Sequence, residues 1–343
     1  MNLKELAERL NLSQTTVSRA LNGYPEVSEA TRLRVVEMAR KHNYHPNSHA
    51  AQLATGKANA IGHVLTLSDH NVIDPHFADF IAGAGEHYAQ TGYDCLISVV
   101  PAGEEEAVYR RLARTKRVDG VVLHGPLVSD WRIRLLRELG LPFIVHGRTG
   151  DDPDSYSWLD VNNKRAFQRA TRHLVDLGHR RIALINGIEQ MTFAHRRRAG
   201  FELALAECSL AADPALMSTS VMSEPNGHAA MARLLVMPER PTAVLTASVL
   251  LAMGAVRAIQ EAGLSPGRDI SLITFDDCLS FLPNDPGEPV LTSLRSSIRA
   301  AGRRVAELLL RIVSEPQAAP LHELWEADLV IGRSTGPVPV RGG

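Results

Sequence analysis

The sequence predicts an all-α helix-turn-helix unit followed by a larger α/β domain of two lobes. Two patterns carry that expectation. In the amino-terminal segment apolar positions recur at steps of three and four, the period of short amphipathic helices. From Ile61 onward, apolar runs of four to seven residues alternate with helical stretches, the pattern of parallel strands joined by crossover helices and covered on both faces. With 343 residues, 45% hydrophobic and 22% charged, the chain has material for one small core and one or two larger ones.

The amino-terminal helices can be taken in order. Leu3, Leu6, Ala7 and Leu10 share one face of a first helix, and Asn11 and Leu12 break the pattern. Ser13 is placed to cap a second helix by accepting an unpaired N–H of its first turn. Val17 and Leu21 then face the first helix, which leaves Gln14, Thr15, Thr16, Ser18 and Arg19 outward. Ser28 can cap a third helix from Glu29 to His42, with Val35, Met38 and Ala39 on its inner side. A polar outer face carrying one Arg and one Gln suits a major groove. Arginine matches the O6/N7 edge of guanine, and glutamine matches the N6/N7 edge of adenine. The plainer reading of the same pattern is a helical bundle with a solvated face.

Charge favours the groove. The chain carries −1 overall, yet residues 1–59 hold eight Lys and Arg against five Glu, a local excess of +3. One end of the molecule is therefore the one suited to phosphate. Cys95, Cys208 and Cys278 are scattered without a C-x-x-C, which implies buried reduced thiols and neither zinc nor disulfides. The chain starts directly on a helix, with no apolar signal core and no run of about eighteen apolar residues. The expectation is a cytoplasmic, nucleoid-associated protein that contacts no membrane.

The order L-A-x-x-L-x-x-S-x-x-T-V-S-R-x-L-N, V-S-x-x-T-R, N-Y-x-P-N and A-x-x-L-A-T-G resembles the LacI/GalR family of bacterial transcriptional regulators, in order and in spacing. The resemblance implies that Gln14, Thr15 and Arg19 read bases and that Thr16 and Ser18 help anchor the helix to phosphate and bases. It places Asn22, Tyr44, Asn47 and Ala50 against DNA as well, with a hinge helix over about 47–55. Leu53 matches the leucine that, from paired subunits, wedges into the minor groove, unstacking a base step so that bent DNA meets more protein. Ala51 and Gln52 precede that leucine where many members carry a basic residue.

The larger domain reads as a periplasmic-binding-protein-like fold. Strands are expected at residues 61–67, 95–100, 121–124 and 143–146, and again at 182–186, 243–247 and 270–275, with a helix over 77–90 ending before Gly92. The resemblance adds three crossings between lobes, placed near 159–162, 289–294 and 321–326. The DNA-binding unit then covers 1–58 and the effector-binding and dimerisation domain 59–335. The first lobe takes about 59–160 and 293–320, the second about 161–290 and 322–335. A helix over 297–314 returns to the first lobe, and residues 336–343 are expected as a frayed tail.

Ligands of open α/β sheets bind beyond the carboxyl ends of the strands. Here those ends are polar: His124, then His146-Gly147-Arg148, Asn186, Ser248, and Asp276-Asp277. Such groups, with Phe77 as a stacking face, suit a small polyol or saccharide. The resemblance implies that Arg197 holds ligand hydroxyls or a carboxylate and that Asp276 is an acidic ligand residue. It places His124, Gly147 and Ser296 at further pocket positions, and Asp74-Pro75-His76-Phe77 beside the ligand. Ser248–Gly254 departs from the family's N-D-x-x-A-x-G, and Met222 stands where many members have an aromatic. The histidines and the H-G-R segment resemble regulators of α-glucoside use. Two alternatives stay open: Asp276 and Asp277 as a strand-to-helix cap, and His124 and His146 as satisfied buried histidines. His173 and His179 fit a helix and its carboxyl turn, and neither a metal nor any other cofactor is expected.

The expectation is a sequence-specific regulator, a homodimeric repressor of sugar-utilisation genes. It would bind a pseudo-palindromic operator in double-stranded DNA and be released by a mono- or disaccharide between the lobes. Coupling requires a ligand that prefers one arrangement of the lobes. Whether the ligand induces or corepresses is not written in these residues, and induction is the commoner outcome among sugar regulators of this kind. A nucleoside or phosphosugar effector is the alternative, and a sugar-processing enzyme a more distant one. No G-x-S-x-G, H-E-x-x-H or phosphate-cradling glycine loop is present, and adjacent carboxylates do not make a facing glycosidase pair. No leucine heptad follows the core, which argues against a tail-mediated tetramer.

Overall fold

The computed structural model describes residues 1–21, 23–44, 56–66, 75–150, 152–284 and 287–339. The expected hinge helix, together with Asn22, Asn47, Ala50, Leu53 and Asp74, lies outside the described residues.

Three helices open the chain: α1 (Leu3–Leu10), α2 (Gln14–Leu21) and α3 (Glu29–Lys41). Asn2 and Glu5 form a reciprocal capping box on α1, and Asn11 ends it in the left-handed region. The Ser13 hydroxyl caps α2, accepting from Thr16 N at 3.0 Å, and Ser28 caps α3. Leu6, Ala7, Leu10, Val17, Ala20, Val27, Val35 and Ala39 make one small core, with Leu21, Met38 and Tyr44 packed at its margin.

The rest builds two sheets among the described residues. The first lobe contains β1 (Ala60–Thr66), α4 (Pro75–Thr91), β2 (Asp94–Val100), α5 (Glu105–Thr115), β3 (Gly120–His124), α6 (Trp131–Glu138), β4 (Phe143–His146) and β5 (Trp158–Val161). The second contains α7 (Asn163–Asp176), β6 (Ile182–Asn186), α8 (Thr192–Glu207), β7 (Met217–Thr219), α9 (Glu224–Leu235), β8 (Ala243–Thr246), α10 (Val249–Glu261), β9 (Ser271–Asp276) and β10 (Thr292–Arg295). The chain then returns through α11 (Ile298–Ser314) and β11 (His322–Trp325) to the first lobe and ends on β12 (Asp328–Val330) in the second. Strand orders are β11-β5-β4-β3-β1-β2 and β12-β10-β9-β8-β6-β7. Pairing is parallel except for β12 against β10.

Each sheet is covered on both faces. In the first lobe α4 and α11 bury Phe80, Tyr88, Val305 and Leu309 against Ile61, Val122, Ile144 and Leu159. Tyr109, Leu112 and Leu136 of α5 and α6 cover Val64, Val121, Leu123 and Val145 on the other face. In the second lobe α7 and α8 cover one face through Phe167, Leu174 and Phe201, and α9 and α10 the other through Met231, Leu251 and Ile259. Gly302 lets α11 lie directly on α4, since a Cβ there would fall 2.0 Å from the Phe80 carbonyl oxygen.

Four details differ from the sequence expectation. Thr292–Arg295 pairs with β9, so residues 293–295 belong to the second lobe and that crossing falls just before α11 rather than over 289–294. His322–Trp325 pairs with β5, so residues 322–325 belong to the first lobe. Residues 336–339 are not a frayed tail. The Gly336 carbonyl accepts from Ser271 Oγ at 3.0 Å, and Val338 N donates to the Leu177 carbonyl at 3.0 Å. Backbone bonds of this kind anchor the segment to the second lobe. The thiols also differ: Cys95 and Cys278 are exposed and Cys208 is half-buried, all free, because Cys95 sits on the edge strand β2 and Cys278 in the turn after β9.

Candidate functional site

Two surfaces stand out: the outer face of α2 and the cleft between the lobes. On α2, Val17 and Ala20 are buried against α1 and α3, which turns Gln14, Thr15 and Arg19 fully outward. Thr16 and Ser18 are half-buried, and the Thr16 hydroxyl shares a hydrogen bond of 2.8 Å with Ser13. Tyr44 is half-buried against the three-helix core, and burial raises its phenol pKa. A short helix held on one side with five polar residues on the other has the shape and chemistry to lie in a major groove. Link residues Ala58 and Asn59 are tied to the first lobe, their N–H groups donating to the Asp119 carboxylate at 2.8 and 2.7 Å.

The cleft is walled by the carboxyl ends of β1, β3 and β4 on one side and of β6, β8 and β9 on the other. Strand alternation explains the first wall. Steps of two from Ile61, Val122 and Ile144, all buried under α4, bring His63, His124 and His146 to the same sheet face on three adjacent strands. His63 Nδ1 lies 2.9 Å from His124 Nε2, and the two rings are stacked. Phe77 and Phe80 stand edge-on to His124, and Phe80 is 4.7 Å from the His146 ring centroid. Burial holds His63 down to about 3 and His146 to about 4, and lowers His124 as well. The three imidazoles are therefore neutral at physiological pH.

On the opposite wall Arg197 is 5% exposed and its guanidinium lies 3.8 Å from the Phe275 ring centroid. Its Nε donates to Asn163 Oδ1 at 2.8 Å and its Nη1 to the Ala247 carbonyl. Burial lowers it to about 10, so it keeps its charge without a carboxylate within ion-pair distance among the described residues. Asp276 is buried, accepts from Cys278 N at 2.8 Å and lies 3.4 Å from Arg295 Nε, and desolvation raises its pKa. The Cys278 contact is a local Asx turn rather than a strand-to-helix cap, since no helix follows β9 directly and α11 is capped by Ser297. Ser248 is fully buried and caps α10, its Oγ accepting from Leu251 N at 3.3 Å. Ser296 lies in the crossing before α11, its N–H donating to the Asp276 carbonyl. Asn186 is also buried, its side-chain amide donating to the Ala194 carbonyl at 2.9 Å.

The lobes touch at the cleft margins. Leu127 and Met191 form an antiparallel bridge, and Thr192 N donates to the Pro126 carbonyl at 3.0 Å. Gly147 sits behind that bridge with φ +106°, where a Cβ would meet Pro126 Cγ at 2.8 Å. Asp160 Oδ2 accepts from Arg148 Nε at 3.0 Å in its own lobe and from Arg196 Nη1 at 2.6 Å across the cleft. On the far side His76 Nε2 stands 3.1 Å from Asp277 Oδ2, and Ser280 N donates to Asp79 Oδ2 at 2.6 Å.

The structure thus brings together Phe77, His124 and His146 on one wall, and Arg197 and Asp276 lie on the other. Ser248 has its hydroxyl committed to the α10 cap, whereas Ser296 commits only its backbone N–H. His63, Asn163, Asp160 and Arg196 are further cleft residues that no motif in the sequence singles out. The step of two from Ile61 to His63 was a readable signal, whereas the Asp160–Arg196 approach depends on how two lobes meet. Among the described residues no group of three His, Cys, Asp or Glu side chains could hold a metal ion, and no helix is long and apolar enough to cross a membrane.

A helix-turn-helix unit joined to a two-lobed domain with a polar cleft defines a ligand-binding transcriptional regulator. Residues 2–47 match the bacterial regulatory proteins of the lacI family, and residues 58–327 match the periplasmic binding proteins and sugar binding domain of the LacI family. The chain belongs to the LacI family. It is 48% identical over 341 residues to the HTH-type transcriptional regulator AglR of Rhizobium meliloti, covering 99% of this chain and 96% of that one. It is 32% identical over 328 residues to the HTH-type transcriptional regulator RafR of Escherichia coli, covering 95% and 96%. The lac repressor dimer bound to operator and the anti-inducer ONPF matches with a TM-score of 0.82 at 26% identity, covering 98% of this chain and 99% of that one. The CelR–cellobiose complex matches with a TM-score of 0.72 at 26% identity, covering 97% and 99%. These relatives are transcriptional regulators, and the chain is a regulator rather than an enzyme.

Proposed function

We propose that the protein is a homodimeric cytoplasmic repressor of sugar-utilisation genes, released from its operator when a neutral mono- or disaccharide closes the cleft. The observation that carries the sugar reading is the neutral histidine wall facing a buried arginine. The uncharged imidazoles of His124 and His146 can hydrogen-bond to hydroxyls and exert no attraction on phosphate. The nearby cations Arg148 and Arg196 are already held by Asp160, which disfavours a phosphosugar. Phe77 supplies an apolar face of the kind a sugar ring stacks on, and Arg197 is pre-oriented by Asn163 and Phe275.

On this reading Gln14, Thr15 and Arg19 read operator bases while Thr16, Ser18 and Tyr44 position the helix. Residues 1–58 form the DNA-binding unit with its hinge, and 59–335 the effector and dimerisation domain. Phe77, His124, His146, Arg197 and Asp276 hold the ligand, and Gly147 keeps the wall open beside Pro126. An α-glucoside is the favoured class, from the histidines and the H-G-R segment. Identity with AglR across nearly the whole chain suits a shared ligand chemistry. The test is operator binding by purified protein titrated with maltose, sucrose and trehalose, repeated with Arg197→Ala. Release by one sugar in the wild type alone supports the reading, and a nucleoside acting where no sugar does refutes it.

A further inference from the structure

Behind the cleft wall, Tyr88 on α4 is 2% exposed, and its hydroxyl lies 3.3 Å from His63 Nε2. His63 is fully buried and spends both ring nitrogens, Nε2 on Tyr88 and Nδ1 on His124 Nε2 at 2.9 Å. His124 is only half-buried, and its Nδ1 has no hydrogen-bond partner among the described residues.

A neutral imidazole has one donor and one acceptor, so the chain can run in only two directions. If His124 Nε2–H donates inward, His63 must donate Nε2–H to Tyr88. The buried phenol hydrogen is then left without an acceptor among the described residues. If Tyr88 donates to His63 Nε2, then His63 Nδ1–H donates to His124 Nε2, and every buried group is paired. The second direction is the satisfied one. Burial also raises the phenol pKa, which keeps the proton on Tyr88.

We infer that Tyr88 and His63 are positioning residues that lock His124 in its Nδ1–H tautomer, so that His124 offers the ligand a donor and never an acceptor. His124 then selects a ligand oxygen with a free lone pair, such as a ring or glycosidic oxygen, over a group that can only donate. The inference about ligand choice rests on the reading of the cleft as a sugar site. The tautomer does not.

The experiment is nitrogen-15 NMR of histidine-labelled full-length protein without ligand, with His124 assigned by comparison with His124→Asn. The expected wild-type pattern is a protonated Nδ1 and an acceptor Nε2 on His124. In Tyr88→Phe, with folding checked by operator binding, the lock is gone and the protonated Nε2 form appears. A wild-type His124 protonated on Nε2 overturns the inference, and so does a folded Tyr88→Phe protein whose His124 tautomer is unchanged. The measurement needs no sugar, so failure of the sugar reading would show separately, as an operator complex that no saccharide releases.

Discussion

Arg196, on the first turns of α8 in the second lobe, places its guanidinium 2.6 Å from the carboxylate of Asp160 in strand β5 of the first lobe. Arg196 also donates to the Thr149 carbonyl at 3.1 Å, so one side chain ties two segments of the opposite lobe. Removing one partner of a buried pair usually costs about 3–5 kcal/mol, and the remaining Arg148–Asp160 contact should reduce that to about 1–3 kcal/mol. Arg196→Met is therefore expected to lower the unfolding temperature by several degrees and to raise the radius of gyration in small-angle scattering. An unchanged scattering curve with an unchanged melting point would show that the contact does not hold the lobes together.

Gly147 is the second such point at the cleft margin. Its φ of +106° is costly for any L side chain, and the Pro126 ring occupies the space of a Cβ. Gly147→Ala is expected to cost about 1–3 kcal/mol and to displace Pro126, whose carbonyl accepts from Thr192 N. The effector concentration for half-release should then shift at least about threefold while operator affinity without effector holds.

Acid should weaken the domain through its histidines. Folded His63 and His146 sit near 3 and 4 against an ordinary value of 6.5, so the unfolded chain binds protons that the folded one excludes. Their contribution is intact above pH 6.5 and is lost as pH falls through 6.5 towards 4, at about 1.4 kcal/mol per unit per histidine. Urea unfolding at pH 7 and pH 5 measures it. The wild type should lose at least about 2 kcal/mol, and His146→Gln should lose less.

Much of this was legible beforehand. Helix capping by Ser13 and Ser28 and the core strands β1, β3, β4, β6, β8 and β9 follow from local residue type and apolar runs. The short strands β5, β7, β10, β11 and β12 escaped notice. Asp160, Thr219, Arg295, Glu323 and Asp328 interrupt them, and only tertiary pairing makes them strands. Arg197 was legible from its motif, but its lack of a carboxylate partner among the described residues was not, because its setting depends on Phe275 and Asn163 from distant segments. The order of the tail is hidden from the sequence for the same reason: His179 and Ser271, which anchor Gly336, are remote in sequence.

The DNA face gives a separate prediction. Ser13→Ala removes the cap of α2, at about 1 kcal/mol, and should weaken binding to operator and to unrelated DNA alike. Arg19→Ala removes an exposed guanidinium from the outer face of α2, and should cost about 1–3 kcal/mol on operator and much less on unrelated sequence. Fluorescence anisotropy on both DNAs at one salt concentration separates the two effects.

The most direct measurement of the central claim is operator binding by the full-length protein, at fixed salt, titrated with a panel of α-linked disaccharides. The operator source would be the DNA upstream of its own gene. The account predicts that one sugar weakens the complex at least tenfold and that Arg197→Ala binds operator normally but ignores the sugar. Tight specific binding that no saccharide alters, or an Arg197→Ala protein that responds as the wild type does, would contradict it.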